Sequence, residues 1–92
     1  MSYRPLVTNR CKKDLKLAKK QKRPFHKLET VLKMLCEHEE LPTHNRDHAL
    51  TGNFRGCREC HIEPDWLLIY VVNDIDQVIE LIRVGSHSDL FD

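Results

Sequence analysis

Apolar residues recur at the helical interval between Phe25 and Cys36. Phe25, Leu28, Val31, Leu32, Leu35 and Cys36 follow one another at three- and four-residue steps, which predicts an amphipathic helix over Phe25–His38, started at Pro24. Upstream the stripe is thinner. Cys11, Leu15 and Ala18, with Leu17 beside them, predict a lysine-rich helix that runs from a cap at Thr8 or Asn9 to about Gln21. Tyr3–Val7 is short and holds Pro5, so it reads as an edge strand. Glu39–Asn53 loses the period and is punctuated by Pro42, Asn45, Gly52 and Asn53, which marks a loop carrying His44 and His48. Three strands follow, about Phe54–Ile62, Trp66–Val72 and Gln77–Val84. Trp66–Val72 is the most apolar run in the chain and suits a central strand covered on both faces. Gly85 ends the sheet, and Ser86–Asp92 is read as a short tail.

These elements bring distant residues together. In an antiparallel meander, the Glu63–Asp65 turn lies at one end of the central strand and the Asn73–Asp76 turn at the other. The third strand runs back for roughly 25 Å at about 3.3 Å per residue. Its end at Val84–Gly85 returns to the Glu63–Asp65 turn, with His87 just beyond. His61, Asp65 and His87 are therefore expected on one rim. Glu59 and His61 share a face by alternation, and Arg83 lies on a strand that ends at the same rim.

Length and composition narrow the class. Ninety-two residues, 40% apolar and 32% charged, predict one soluble globular domain over residues 1–92. The order is strand, two helices and three strands, with the helices packed on the sheet. The net charge is only +1, but it is divided: residues 1–27 carry +9 and residues 28–92 carry −8. A pole this basic favours a polyanion or an acidic partner over a neutral one. The N-terminus has no apolar signal segment, and no run approaches the ~18 apolar residues of a spanning helix, so no membrane is expected. A cytoplasmic location follows, with Cys11, Cys36, Cys57 and Cys60 as free thiols.

The rim offers acid–base chemistry. Histidine titrates near neutrality, and an arginine close by can bind a phosphate. This set suits phosphodiester cleavage, in which a base takes a 2′-hydroxyl proton and an acid protonates the leaving oxygen. Cys57-Arg58-Glu59-Cys60-His61 also spells the haem c attachment pattern, but it lies within a predicted strand in a chain without an export signal. A zinc site from Cys57, Cys60, His61 and His48 is a further reading, weakened because strand alternation turns the two cysteines apart. Packing on the sheet accounts for both cysteines. Trp66 reads as core, with a stacking role open at the rim.

Asp47–Gly52, Arg58–Tyr70 and Leu81–Phe91 together resemble the YafQ-type branch of the RelE/ParE toxin superfamily. The block His61-x-x-Pro64-Asp65-Trp66, followed by Gly85-Ser86-His87-x-x-Leu90-Phe91, carries most of the likeness. The resemblance implies a RelE-like α+β fold, with a short N-terminal strand and two helices on a curved, mostly antiparallel sheet. It implies a ribosome-dependent mRNA endoribonuclease of a type II toxin–antitoxin pair, cutting in the ribosomal A site by 2′-hydroxyl attack without metal or organic cofactor. The partners it implies are the ribosome, mRNA and a cognate antitoxin, expected to be a ribbon-helix-helix protein with a wrapping C-terminal segment. Operator DNA would be reached only through the antitoxin complex. Carried over by position, His48, His61, Asp65 and His87 match the catalytic set. Glu59, Trp66, Arg83 and Phe91 match substrate-contacting or site-shaping positions. His87 is the expected acid, His61 and Asp65 share proton removal and orientation, and His48 stabilises the transition state. Lys12, Lys13, Lys16, Lys19 and Lys20 are expected to contact ribosomal RNA. Two rivals are a non-catalytic ParE-like gyrase inhibitor, which lacks such histidines, and a Cys/His metal-binding module.

Overall fold

The computed structural model describes residues 2–91. Strand β1 (Arg4–Val7) leads into helices α1 (Asn9–Lys20) and α2 (Phe25–Cys36). Strands β2 (His48–Ala49), β3 (Arg58–Glu63), β4 (Trp66–Asn73) and β5 (Val78–Gly85) follow, and helix α3 (His87–Phe91) closes the chain. The sheet order is β1-β5-β4-β3-β2, antiparallel except for the β1–β5 pair. Three helices on this mixed five-stranded sheet make an α+β fold.

Thr8 joins the two layers. Its Oγ1 accepts from the Cys11 N–H at 3.2 Å and so caps α1, while its hydroxyl donates to the Leu81 carbonyl of β5 at 2.8 Å. Both long helices end in Schellman turns. The Arg23 N–H reaches the Ala18 carbonyl at 3.0 Å, and the Glu39 N–H reaches that of Met34 at 2.9 Å. Lys22 (φ 58°) and His38 (φ 60°) take the left-handed position where glycine is usual. Helix α2 therefore stops at Cys36, two residues short of the expected His38.

Strand β4 is the centre of the molecule, and Trp66–Tyr70 are all buried. Alternation divides them. Trp66, Leu68 and Tyr70 join Cys60, Ile62, Ile79, Leu81 and Val84 under α1 and α2. Leu67 and Ile69 face the other way, against Leu90, Leu50, Phe54, Cys57 and Ile82. Each buried residue of this size contributes about 1.5–3 kcal/mol, so two covered faces hold the strand firmly.

The covering of the second face departs from expectation. The tail after Gly85 is helix α3. Its Ser86 Oγ accepts from the Asp89 N–H and Asp89 Oδ2 accepts from the Ser86 N–H, each at 3.1 Å, a reciprocal capping box. Gly85 lets α3 fold back this closely, since a Cβ there would lie 2.9 Å from Asp89 Cβ. The Glu39–Asn53 loop contains β2, which pairs with Arg58 and Glu59. The first strand of the meander begins at Arg58, not Phe54, because Gly52–Phe54 forms a 3₁₀ turn and Gly56 sits at φ 91°. No helix among the described residues is long and apolar enough to cross a membrane.

Candidate active site

Strand β3 supplies the floor of the site. Alternation places Cys60 in the core beneath α1 and α2, and turns Glu59 and His61 to the opposite face. Burial pushes the Cys60 thiol up, so it is an inert core group. Cys57 belongs to the other apolar cluster. The two cysteines therefore do not converge with His61 and His48, which removes the geometry a Cys/His metal module requires.

Glu59 is 4% exposed. Its Oε1 lies 3.6 Å from His61 Nε2 and 3.6 Å from His48 Nε2, so one carboxylate oxygen faces two imidazoles. Its Oε2 is buried without a hydrogen-bond partner among the described residues. An unmet buried polar atom costs about 1–3 kcal/mol, more when charged. A fold tolerates this where the group has work to do.

The histidines are fixed from behind. His48 Nδ1–H donates to the Arg46 carbonyl at 2.6 Å, and His61 Nδ1–H to the Pro64 carbonyl at 3.2 Å. His87 Nδ1–H donates to Asp65 Oδ1 at 3.0 Å. A carbonyl only accepts, so Nδ1 carries the proton in His48 and His61, and the carboxylate imposes the same tautomer on His87. Each Nε2 is left to exchange a proton. The His61 and His87 rings lie 5.6 Å apart between centroids. Asp65 also accepts the His87 backbone N–H at 3.0 Å. That bond and the ring bond hold the Asp65 carboxyl below the ordinary carboxylate range.

Two further groups complete the rim. Phe91, one helical turn after His87, has its ring 6.2 Å from the His87 ring and packs edge-on against Phe54 at 5.8 Å. It is 46% exposed and offers a face for stacking. Beside His61 a groove of about 620 Å³ runs between α2 and the Thr43–Asn45 turn, lined by Val31, Met34, Pro42, Arg46 and Pro64.

Not every expected residue joins this cluster. Trp66 is 1% exposed in the helix-side core, with Phe25 at 5.9 Å and the Arg23 guanidinium 5.8 Å above its ring. Arg83 is held by Asp14 of α1, Nε to Oδ2 at 2.7 Å and Nη2 to Oδ1 at 3.2 Å. This ion pair raises the already high pKa of Arg83. The pair lines a separate small cleft that also includes Arg10, Trp66 and Asp89. Lys12, Lys13, Lys16, Lys19 and Lys20 are exposed on α1.

Several supporting residues escape sequence reasoning. The Tyr70 hydroxyl and Arg58 Nε both donate to Asp47 Oδ1, which fixes the residue before His48. Buried Asn45 donates through Nδ2 to the His61 carbonyl at 2.7 Å and holds the loop against β3. Their partners lie 11 to 23 residues away, beyond any local pattern. The ligand atoms of Glu59, His61 and His87 lie within 4.8 Å of one another, the one such group among the described residues that could hold a metal.

Comparison with known proteins gives the family of the chain. Over 80 residues the chain is 39% identical to the mRNA interferase toxin YafQ of Escherichia coli K12, covering 86% of this chain and 85% of that protein. Its fold superposes on a chain of the E. coli DinJ–YafQ toxin–antitoxin complex with a TM-score of 0.87, at 33% identity and 100% coverage of both chains. A metal-bound toxin from Helicobacter pylori superposes with a TM-score of 0.91, at 34% identity, covering 97% of this chain and 99% of that one. Residues 3–92 match the family described as "Bacterial toxin of type II toxin-antitoxin system, YafQ". The chain belongs to the YafQ family of bacterial type II toxins.

Proposed function

We propose that the chain is a ribosome-dependent endoribonuclease that cleaves mRNA in the ribosomal A site, needs no metal or organic cofactor, and is neutralised by a cognate antitoxin. The observation that carries this reading is the set of three imidazoles anchored at Nδ1 on one rim, with the Nε2 atoms of His48 and His61 facing Glu59. Anchored tautomers are what proton transfer in two directions requires. The mRNA interferase name of the E. coli relative supports RNA as substrate, and the DinJ–YafQ complexes support an antitoxin partner. We expect a ribbon-helix-helix antitoxin, with operator DNA bound only in its company.

In this reading a substrate 2′-hydroxyl lies against His61 Nε2, which accepts its proton. The oxygen attacks the adjacent phosphorus, and the P–O bond to the next nucleotide breaks. His87 donates a proton from Nε2 to the departing 5′-oxygen. Asp65 orients His87 and takes no proton itself. His48 stabilises charge on the phosphoryl oxygens, and Phe91 stacks on a base. Arg83 meets the phosphate only by exchanging Asp14 for it. Trp66 supports the turn from the core side.

The test is cleavage of mRNA on programmed ribosomes by the wild type and by His61→Ala and His87→Ala. Each change should lower the rate by about 10²–10⁴-fold, the usual weight of one acid–base group. Wild-type rates in both variants would overturn the assignment. Gyrase inhibition with intact mRNA would overturn the function.

A further inference from the structure

We infer that the groove between α2 and the Thr43–Asn45 turn is a nucleotide subsite. It receives the base of an mRNA nucleotide beside the cut, and Arg46 binds that nucleotide's phosphate. The choice of RNA as ligand rests on the proposed function; the shape and charge of the groove do not.

The groove shares its walls with the histidine anchors. Pro64, whose carbonyl holds the His61 ring, and Arg46, whose carbonyl holds the His48 ring, both line it. A ligand seated there touches the two turns that aim these imidazoles, so groove and rim are neighbouring parts of one surface. At about 620 Å³ the groove falls within the ~300–1,000 Å³ of small-ligand pockets. Its walls are mainly apolar. Pro42 and Pro64 offer flat rings to a base, and Met34 adapts to its outline.

Charge selects the ligand. Glu63, the one acidic residue of the lining, is already met by Lys27 at 3.3 Å and Arg23 at 3.8 Å. The Arg46 guanidinium has no hydrogen bond or ion pair among the described residues. An apolar cleft with an uncompensated cation matches what single-stranded RNA presents, a base face and a phosphate. A guanidinium holds a phosphate through two parallel bonds and can stack on a base as well. Arg83 is not free to do this, because its Nε and Nη2 are both given to Asp14. An acidic peptide would also meet the charge, but the shared walls favour the strand that the imidazoles are proposed to cut.

The full chain is titrated with a short single strand of 2′-fluoro RNA, which has no attacking hydroxyl, and followed by amide NMR. The amides of Val31, Met34, Arg46 and Ile62 should shift together with that of His61. Thr30→Phe fills the groove from an exposed position on α2 and should weaken binding by about 5- to 150-fold, the usual weight of one base contact. Arg46→Asn removes the guanidinium and suits the left-handed backbone at φ 48°. It should shrink the slope of log affinity against log salt by about 0.7, the share of one phosphate on a single strand. The His48 anchor is a backbone carbonyl and survives this change. Circular dichroism checks the fold of both variants. No binding, shifts confined to the histidine rim, or unaltered affinity in both variants would overturn the subsite. Groove shifts with a glutamate-rich peptide and none with RNA would overturn it too, in favour of a protein surface. On programmed ribosomes each variant should lose at least about 5-fold in kcat/KM, and wild-type values in both would overturn the use of the groove in cleavage. If the wild type itself fails to cleave, the ribonuclease reading fails, while the titration still decides what the groove binds.

Discussion

Asp65 Oδ1 accepts two hydrogen bonds from one residue, the backbone N–H and the Nδ1–H of His87, each at 3.0 Å. The first seats the start of α3 on the β3–β4 turn. The second orients the ring that faces His61. A single carboxylate thus controls both where His87 sits and which way it points.

The pH dependence of this tether follows from its sign. The His87 backbone bond, then the ring bond, depress the Asp65 pKa in the folded state. Such a group adds stability above its unfolded value, near 4, and loses it as pH falls through the lower folded value. The Leu90 amide should therefore keep its native NMR shift at about pH 5 and move only below about pH 4. In Asp65→Asn that step should vanish and cleavage should fall by about 10²-fold. An unchanged acid titration in the variant would show that another group sets it.

Ser86 caps a helix too short to stand alone. Ser86→Ala removes the bond to the Asp89 N–H and should cost about 1 kcal/mol. The loss falls on α3, which carries His87 and Phe91, and little on the core. Cleavage should drop several-fold while Tm moves by only a few degrees. A large fall in Tm with full activity would contradict this.

Tyr70 holds Asp47, the residue that precedes His48. Tyr70→Phe deletes one hydrogen bond to Asp47 and should cost about 1 kcal/mol in stability, with slower cleavage. Its effect on rate should disappear in a His48→Ala background. Fully additive losses in the double variant would mean that the two residues act separately.

The lysines of α1 should act on binding alone. Replacing Lys12, Lys13, Lys16, Lys19 and Lys20 with Gln should weaken ribosome association. The slope of log affinity against log salt should shrink by about 0.7–0.9 for each phosphate that a lysine no longer neutralises. Folding stability should change by no more than about 0.5 kcal/mol per site. An unaltered salt slope would remove α1 from the interface.

The gathering of Glu59, His61, Asp65 and His87 at one rim was legible in outline because two simple rules fix it. Alternation puts Glu59 and His61 on one face, and the meander returns His87 to Asp65. What escaped was structure below the length at which a period shows. Strand β2 has two residues and α3 has five. The signal for α3 was present as Ser86-x-x-Asp89, a capping box with aspartate in the glutamate position. The helix ends were obscured because Lys22 and His38 occupy left-handed positions without a glycine to mark them. Asp14 binding Arg83, and Asn45 holding the His61 carbonyl, join residues far apart in the chain. No window on the sequence contains both partners.

Glu59 has one further consequence. Its Oε2 is buried without a hydrogen-bond partner among the described residues, a cost to folding that a role in the proposed chemistry would explain. Glu59→Gln should therefore raise Tm while slowing cleavage, the opposite of what most buried substitutions do. Inheritance then meets an uneven slope. On the proposed function, a copy that loses its potency at this position should become sturdier, so the path to a harmless descendant would run downhill in folding energy.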